Sequence, residues 1–194
     1  DPYALAPGLG MYLPKGGDFV MEVHYHLTGQ ATRDRSQMAL YFADKPVENY
    51  IDGLLIGTQD LRIPAGERSY WRHVYMDVPA GFTLIDLFPH MHYIGSEVVA
   101  TATLPDGAVL PLIRIADWDF RWQNVYVYRK PIHVPAGSRI DVWFRFDNSD
   151  DNPANPNFPA APVNWGWQTT DEMAEIWMTI VHDNWADRDR SEEH

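Results

Sequence analysis

The stretch RIDVWFRFD, residues 139–147, decides the fold class of this sequence. Every second residue in it is large and apolar, in the order Ile140, Val142, Phe144 and Phe146. A period of two is that of a β-strand with one buried face, and a helical period of 3.6 residues does not reproduce it. The stretch therefore predicts a strand that packs one face on a hydrophobic core.

Similar alternation along the chain predicts an all-β protein. Turns of the form Pro-x-Gly separate many of the alternating segments, because proline presets one turn position and glycine closes the turn. Residues 173–181 also fit a helical stripe, but their alternation favours a strand. We predict an antiparallel β-sandwich of the jelly-roll kind. Its further strands are expected at Phe19–Leu27, Gln37–Ala43, Tyr70–Val78, Thr83–Phe88, Val98–Thr103, Val109–Ile115, Trp122–Arg129 and Met173–Val181.

The composition excludes several classes of function. With 15 Lys and Arg against 27 Asp and Glu, the chain carries a net charge of −12, which disfavours nucleic acid and anionic membrane surfaces as partners. No apolar run approaches the roughly 18 residues that span a bilayer, so membrane insertion is not expected. The chain has no cysteine, which excludes disulfides, thiolate metal sites and a thiol nucleophile. A metal site here must use His, Met, carboxylate or backbone oxygen.

Two His-x-His pairs are the first candidates for chemistry. In an extended chain, His90 and His92 lie on the same side, where one metal can bind both, while Met91 points away. His24 and His26 repeat the arrangement on an earlier predicted strand. The alternative is that these imidazoles are hydrogen-bonded polar groups at a strand end or on a solvent-facing row.

Met173 and its acidic neighbours have an ordinary interpretation when taken alone. Methionine is more often a core filler than a ligand. Asp171 and Glu172 are expected to be turn and surface residues.

Four short motifs resemble a known family of copper enzymes. FPHMHYIG at 88–95 resembles the His-x-His segment of the copper type II, ascorbate-dependent monooxygenases, which include peptidylglycine α-hydroxylating monooxygenase and dopamine β-monooxygenase. TTDEM at 169–173 resembles the segment of that family in which Asp or Glu is followed by Glu and Met. EVHY at 22–25 resembles its Val-His-Tyr strand, and IPAGE at 63–67 resembles its Pro-x-Gly-Glu turn. The motifs keep the family's order and comparable spacing over about Phe19 to Val181. The chain is therefore similar to a bacterial-type relative of its catalytic-copper domain.

The resemblance implies a copper site and a reaction. His90, His92 and Met173 match the ligands of the catalytic copper, where O₂ is activated to hydroxylate a C–H bond with electrons from ascorbate or another one-electron reductant. Imidazole suits both copper oxidation states, and the soft thioether favours Cu(I). In the family, three His residues bind a second copper, and one of these residues matches His24. His26 is a candidate for a further ligand at that second site. The resemblance also implies an extracellular or periplasmic location.

The departures from the family predict how this chain differs. It has no adjacent His-His pair, so an upstream domain or another chain is expected to complete the second copper site. Residues 1–29 then resemble the last strand of a preceding domain, 30–183 form the copper-binding sandwich, and 184–194 form a polar tail.

The substrate is also expected to differ. Phe88, Glu175 and Trp177 stand where the family holds a peptide carboxylate, and an acid there repels a carboxylate. We expect a small-molecule substrate that approaches over an apolar, aromatic surface, with Glu175 meeting a cation or hydroxyl.

Two other interpretations stay open at this point. One is a non-catalytic copper-binding or copper-delivery module. The other is a jelly-roll domain that binds carbohydrate or Ca²⁺ through the oxygens of Asp147–Asn152. Asp and Asn clusters beside proline are mostly turns, which makes this last interpretation the weakest.

Overall fold

The computed structural model describes residues 5–23, 25 and 28–186. Contacts divide the chain into two units, residues 1–50 and 51–194. The first unit contains a short strand, β1 (Leu9–Met11), and the beginning of the next strand. Among the described residues of either unit, there is no helix with the length and apolar character needed to cross a membrane.

The first unit corrects two strand predictions. The described residues of Phe19–Leu27 and Gln37–Ala43 form no strand. A segment of alternating apolar and polar residues forms a stable strand only when a partner strand supplies hydrogen bonds and one face of the strand is buried. Here the apolar side chains are exposed, and Val20 and Tyr41 reach 93% and 85% exposure.

The second unit holds the sheets. Its strands are β2 (Asn49–Gly57, whose first two residues belong to the first unit), β3 (Arg62–Ile63), β4 (Tyr70–Asp77), β5 (Phe82–His90), β6 (Gly95–Thr103), β7 (Val109–Ile115), β8 (Tyr126–Val134), β9 (Arg139–Phe146), β10 (Val163–Asn164) and β11 (Glu175–His182). Strands β2, β11, β5 and β8 form one antiparallel sheet in that order, and β4, β9, β6 and β7 form another. Strands β3 and β10 form a small antiparallel pair. The predicted antiparallel β-sandwich is confirmed.

The core lies between the two large sheets. The alternating face of β9 is fully buried, as its sequence predicts. Each fully buried aliphatic or aromatic side chain contributes about 1.5–3 kcal/mol relative to an exposed one. The same hydrophobic cluster includes buried residues of the other sheet, among them Leu84, Leu87, Ile176, Met178 and Ile180.

Two elements differ from the prediction for local reasons. Strand β2 was not predicted, because Gly53 and Gly57 weaken the strand signal of its sequence. Strand β8 begins at Tyr126 and not at Trp122, so residues 116–125 form the loop between β7 and β8. The strand predicted at Met173–Val181 is confirmed as β11, which begins two residues later.

The strands at two sheet edges each contain a proline. Pro111 lies in β7, at the edge of the β4–β9–β6–β7 sheet, next to a register shift between Ala100 and Thr101 of β6. Pro131 lies in β8, where the pairing with β5 shifts between Leu84 and Asp86. Proline cannot donate a backbone hydrogen bond, so edge strands and bulges are the positions in a sheet that accept it.

Candidate metal centre

The end of strand β5 presents the His-x-His pair. Pairing of β5 with β11 continues to His90, which lies opposite Glu175, whereas pairing with β8 ends at Leu87. Pro89 has no N–H to offer a further partner strand. The loop 116–125 approaches His90 on this side instead, through Gln123. Backbone pairing is therefore interrupted at the position where the imidazoles lie.

The two imidazoles are adjacent and nearly perpendicular. The ring centroids of His90 and His92 are 5.1 Å apart, with an interplanar angle of 83°. Met91 between them is fully buried in the core cluster, on the other side of the chain. The structure thus brings His90 and His92 together, as their spacing predicts.

Each imidazole uses its Nδ1 atom for a hydrogen bond. His90 Nδ1 lies 2.7 Å from Gln123 Oε1, and His92 Nδ1 lies 3.0 Å from the backbone oxygen of Asp171. Gln123 Nε2 donates to the backbone oxygen of Phe120 at 2.9 Å, which assigns Oε1 to the side of His90. Both partners of the rings are acceptors, so we assign the protons to Nδ1. In the neutral rings both Nε2 atoms then keep a lone pair, the form in which histidine binds a metal.

His92 is held on several sides. Its ring meets Phe120 edge to face, with centroids 6.1 Å apart, and its backbone oxygen accepts the indole N–H of Trp118 at 3.2 Å. Burial lowers the pKa of His92, and the neighbouring His90 lowers it further, while the backbone carbonyls of Asp171 and Gln168 and the charge of Asp171 oppose the shift. The environment therefore favours the neutral imidazole, which is the metal-binding form.

Glu172 is the residue on which the sequence expectation is wrong. It is not a surface residue but 0% exposed. One carboxyl oxygen accepts the backbone N–H of Ile94 at 2.8 Å, and the other accepts those of His92 at 2.8 Å and Met173 at 3.1 Å. Burial raises the pKa of Glu172 to about 8, against the pull of these backbone donors. A single buried carboxyl group thus joins the His-x-His segment to the segment that carries Met173.

Met173 lies in the segment that Glu172 joins to the His-x-His pair. It is buried and precedes β11, whose first residue, Glu175, pairs with His90. Its backbone nitrogen and that of His92 are held by the same Glu172 oxygen. Asp171 is the turn residue that its type predicts, since its N–H bonds to the Gln168 carbonyl at 2.8 Å.

The described residues limit which ligand sets are available. Among them, no three His, Cys, Asp or Glu side chains form a group that could hold a metal ion. Within the described residues, a third protein ligand for a metal on His90 and His92 would therefore be of another type. Met173, in the adjoining segment, is the candidate that the sequence motif supplies.

An apolar row crosses the sheet beside His90. Trp177 of β11 lies opposite Phe88 of β5 and opposite Leu55 of β2, and we call Leu55, Trp177 and Phe88 the apolar row. Trp177 and Leu55 are 46% and 44% exposed. The rings of Phe88 and His90 are stacked, with centroids 6.2 Å apart and an interplanar angle of 21°. The structure therefore brings the three predicted substrate residues, Phe88, Glu175 and Trp177, to the same sheet region as His90.

Glu175 occupies the next position along this face. It lies opposite His90 on β5 and opposite Gly57 on β2. Burial raises the pKa of Glu175, while the neighbouring His90 and the Trp177 side chain oppose the shift. An acidic group thus lies beside both the imidazole and the apolar row.

The remaining predicted sites are not assembled in the described part of the chain. His24 and His26 lie outside the described residues. In the 147–152 segment the polar groups bond to one another and to neighbouring backbone and side-chain groups. Asp147 Oδ1 accepts the N–H and hydroxyl of Ser149, and Asn148 donates to the carbonyls of Pro64 and Ala161 while accepting from Asn155. This network is what stabilises an irregular buried loop, and it leaves few of these oxygens for a cation.

Sequence reasoning missed three residues that shape the site. Gln123 and Trp118 come from a loop, and no periodicity or motif marks them. Glu172 stands beside the candidate ligand Met173, but an acidic residue in a turn-like segment gives no sign of burial.

Comparisons with known proteins add no family assignment. No family model matches the chain, and no curated protein is significantly similar to it. The functional interpretation therefore depends on the geometry of the His90–His92 site.

Proposed function

We propose that this chain binds one copper ion through His90, His92 and Met173 and serves as the catalytic-copper domain of an O₂-dependent monooxygenase. One observation carries the proposal. Both imidazoles commit Nδ1 to an acceptor, which leaves two neighbouring Nε2 atoms as ligands, and Glu172 holds Met173 to the same segment. The reductant in this proposal is ascorbate or another one-electron donor.

The donor set fits copper better than zinc. Two neutral imidazoles and one thioether form a set that accepts both oxidation states and favours Cu(I). Zinc sites more usually recruit a third histidine, a cysteine or a carboxylate. Copper bound at this position would supply one-electron transfer and the activation of O₂ for hydroxylation of a C–H bond.

The protein side chains determine what reaches the site. The apolar row offers a surface of aromatic and aliphatic groups next to His90, suited to an apolar or aromatic substrate body. Glu175 would meet a cationic or hydroxyl group of the same molecule and would repel a carboxylate. A small molecule of this type is therefore the proposed substrate, and a peptide with a free carboxyl terminus is disfavoured.

Copper titration tests the metal assignment. The purified chain should bind one copper at this site, and both His90→Ala and His92→Ala should remove it. His133→Ala is a matched control, because His133 bonds to Asp183 and is largely exposed. Full copper affinity in His90→Ala would contradict the assignment.

An ascorbate-driven assay tests the catalytic half of the proposal. We expect the isolated chain to consume O₂ slowly and without coupled hydroxylation, because electron transfer in this proposal also needs a second copper from an upstream domain or another chain. His92→Ala should abolish the consumption. Copper binding without any O₂ consumption would favour the non-catalytic copper-binding or delivery module. Efficient hydroxylation of a peptidyl-glycine by this chain alone would contradict the proposed substrate class.

A further inference from the structure

The loop 116–125 reaches His90 through one side chain. Gln123 Oε1 lies 2.7 Å from His90 Nδ1, and Gln123 Nε2 donates to the Phe120 carbonyl of the same loop at 2.9 Å. Both ends of the Gln123 amide are therefore engaged, one by the imidazole and one by the backbone.

The Phe120 carbonyl determines which end of the amide faces the imidazole. If the amide were turned over, its oxygen would face the Phe120 oxygen, and two acceptors cannot bond to each other. The amide oxygen therefore faces His90 and requires a proton on Nδ1. A backbone carbonyl three residues away thus selects the tautomer of the imidazole.

We infer that Gln123 is a positioning residue for His90, which fixes the ring and presents its Nε2 lone pair to the metal. The inference rests on the proposed copper site and adds Gln123 to it as the residue that orients the ligand His90. Partners of this type are general in metal sites, where the second ring nitrogen of a ligating histidine is usually bonded to an acceptor.

The two histidines differ in how they can be tested. His92 Nδ1 bonds to the backbone oxygen of Asp171, which no substitution at residue 171 removes. The partner of His90 is a side chain and can be replaced. Gln123→Leu keeps a similar volume without an acceptor, and Gln123→Glu keeps the acceptor for His90 but loses the bond to the Phe120 carbonyl. Gln168→Leu is the matched control, because the Gln168 side chain is exposed and residue 168 contacts Asp171 and His92 through its backbone, which the substitution keeps.

The tautomer can be measured without copper. Carbon-13 and nitrogen-15 shifts of the histidine rings, recorded at pH 8 on the metal-free chain and assigned with His90→Gln, distinguish Nδ1–H from Nε2–H. We expect Nδ1–H at His90 in the parent chain, in Gln123→Glu and in Gln168→Leu. In Gln123→Leu the proton should move at least partly to Nε2. If Gln123→Leu does not fold, Gln123→Ala supplies the same measurement.

Copper affinity gives the second readout. Gln123→Leu should weaken copper binding about 10–100-fold, the usual effect of losing such a partner, whereas Gln123→Glu and Gln168→Leu should bind within a few-fold of the parent chain. Nε2–H at His90 in the parent chain, or an unchanged tautomer in Gln123→Leu, would overturn the inference. If the tautomer changes as expected but the parent chain binds no copper, the positioning role stands and the proposed function fails.

Discussion

The sulfur of Met173 is the softest of the three candidate donor atoms, and this makes a prediction about single residues. Met173→Leu nearly conserves volume, so the fold should be kept. Cu(I) affinity should fall by at least about tenfold, since even the loss of an outer partner has that effect. Cu(II) affinity should fall less, because imidazole nitrogen still suits it. X-ray absorption of the parent Cu(I) form should show a sulfur scatterer, and its absence would exclude Met173 as a ligand.

Glu172 makes a second prediction at this scale, about stability. In Glu172→Gln, an amide nitrogen replaces one acceptor oxygen and meets a backbone donor of His92, Ile94 or Met173. We expect the free energy of unfolding to fall by about 1–3 kcal/mol, the cost of leaving a buried donor without an acceptor. Urea unfolding measures the change. Asp171→Asn is the control and should have a smaller effect, because Asp171 Oδ2 accepts only a 3.2 Å bond from Gln168.

Part of the site could be predicted at the residue scale and part could not. The spacing of His90 and His92 requires their rings to share one side of an extended chain, and the structure places them there. The contribution of Glu172 depends on three backbone N–H groups: those of His92 and Ile94, which are 80 and 78 residues away along the chain, and that of its neighbour Met173. No property of residue 172 itself indicates that those groups converge on it, so its burial could be found only in three dimensions.

At the scale of elements, strand β2 contains a natural comparison between two glycines. A Cβ atom on Gly57 would lie 2.8 Å from the Ala174 carbonyl and 2.9 Å from Glu175 Cγ, whereas a Cβ on Gly53 meets open space. Gly57→Ala should lower the free energy of unfolding by about 1–3 kcal/mol, as overpacking does. Gly53→Ala should be neutral or stabilise by roughly 0.5–1 kcal/mol, because alanine loses less backbone entropy.

The same pair tests how β2 supports the site. Gly57→Ala displaces Glu175, which lies opposite His90. Copper affinity should therefore change in Gly57→Ala and stay unchanged in Gly53→Ala. Equal unfolding free energies for the two variants, measured by denaturant titration, would show that the close approach at Gly57 does not constrain the sheet.

The elements also show what alternation can and cannot predict. The period of two in β9 predicts a buried face, and that face is buried. The same period in Phe19–Leu27 predicts a strand, but the described residues of this segment form none. The prediction fails because an alternating pattern does not indicate whether a partner strand is present. Strand β2 is the opposite case, a strand that the sequence pattern does not predict. Its glycines weaken the strand signal, but the neighbouring strand β11 stabilises β2 through seven paired residues.

At the scale of the whole molecule, the candidate site belongs to one unit. The described contacts of His90, His92 and Met173 all involve residues between 51 and 194. A shortened chain of residues 46–194, which keeps all of β2, should therefore bind copper at this site with the affinity of the full chain. Isothermal titration compares the two. A loss of more than about tenfold, which is 1.4 kcal/mol, would mean that the first 45 residues contribute to the site.

The prolines in β7 and β8 have a consequence for behaviour in concentrated solution. An edge strand with free N–H groups can recruit an edge strand from another molecule, and repetition of that step produces fibres. Pro111 and Pro131 each remove a donor from such an edge and coincide with irregular pairing. Both features disfavour the addition of a strand from another molecule at these two edges, so crowding of many copies should rarely lead to cross-molecular strand pairing there.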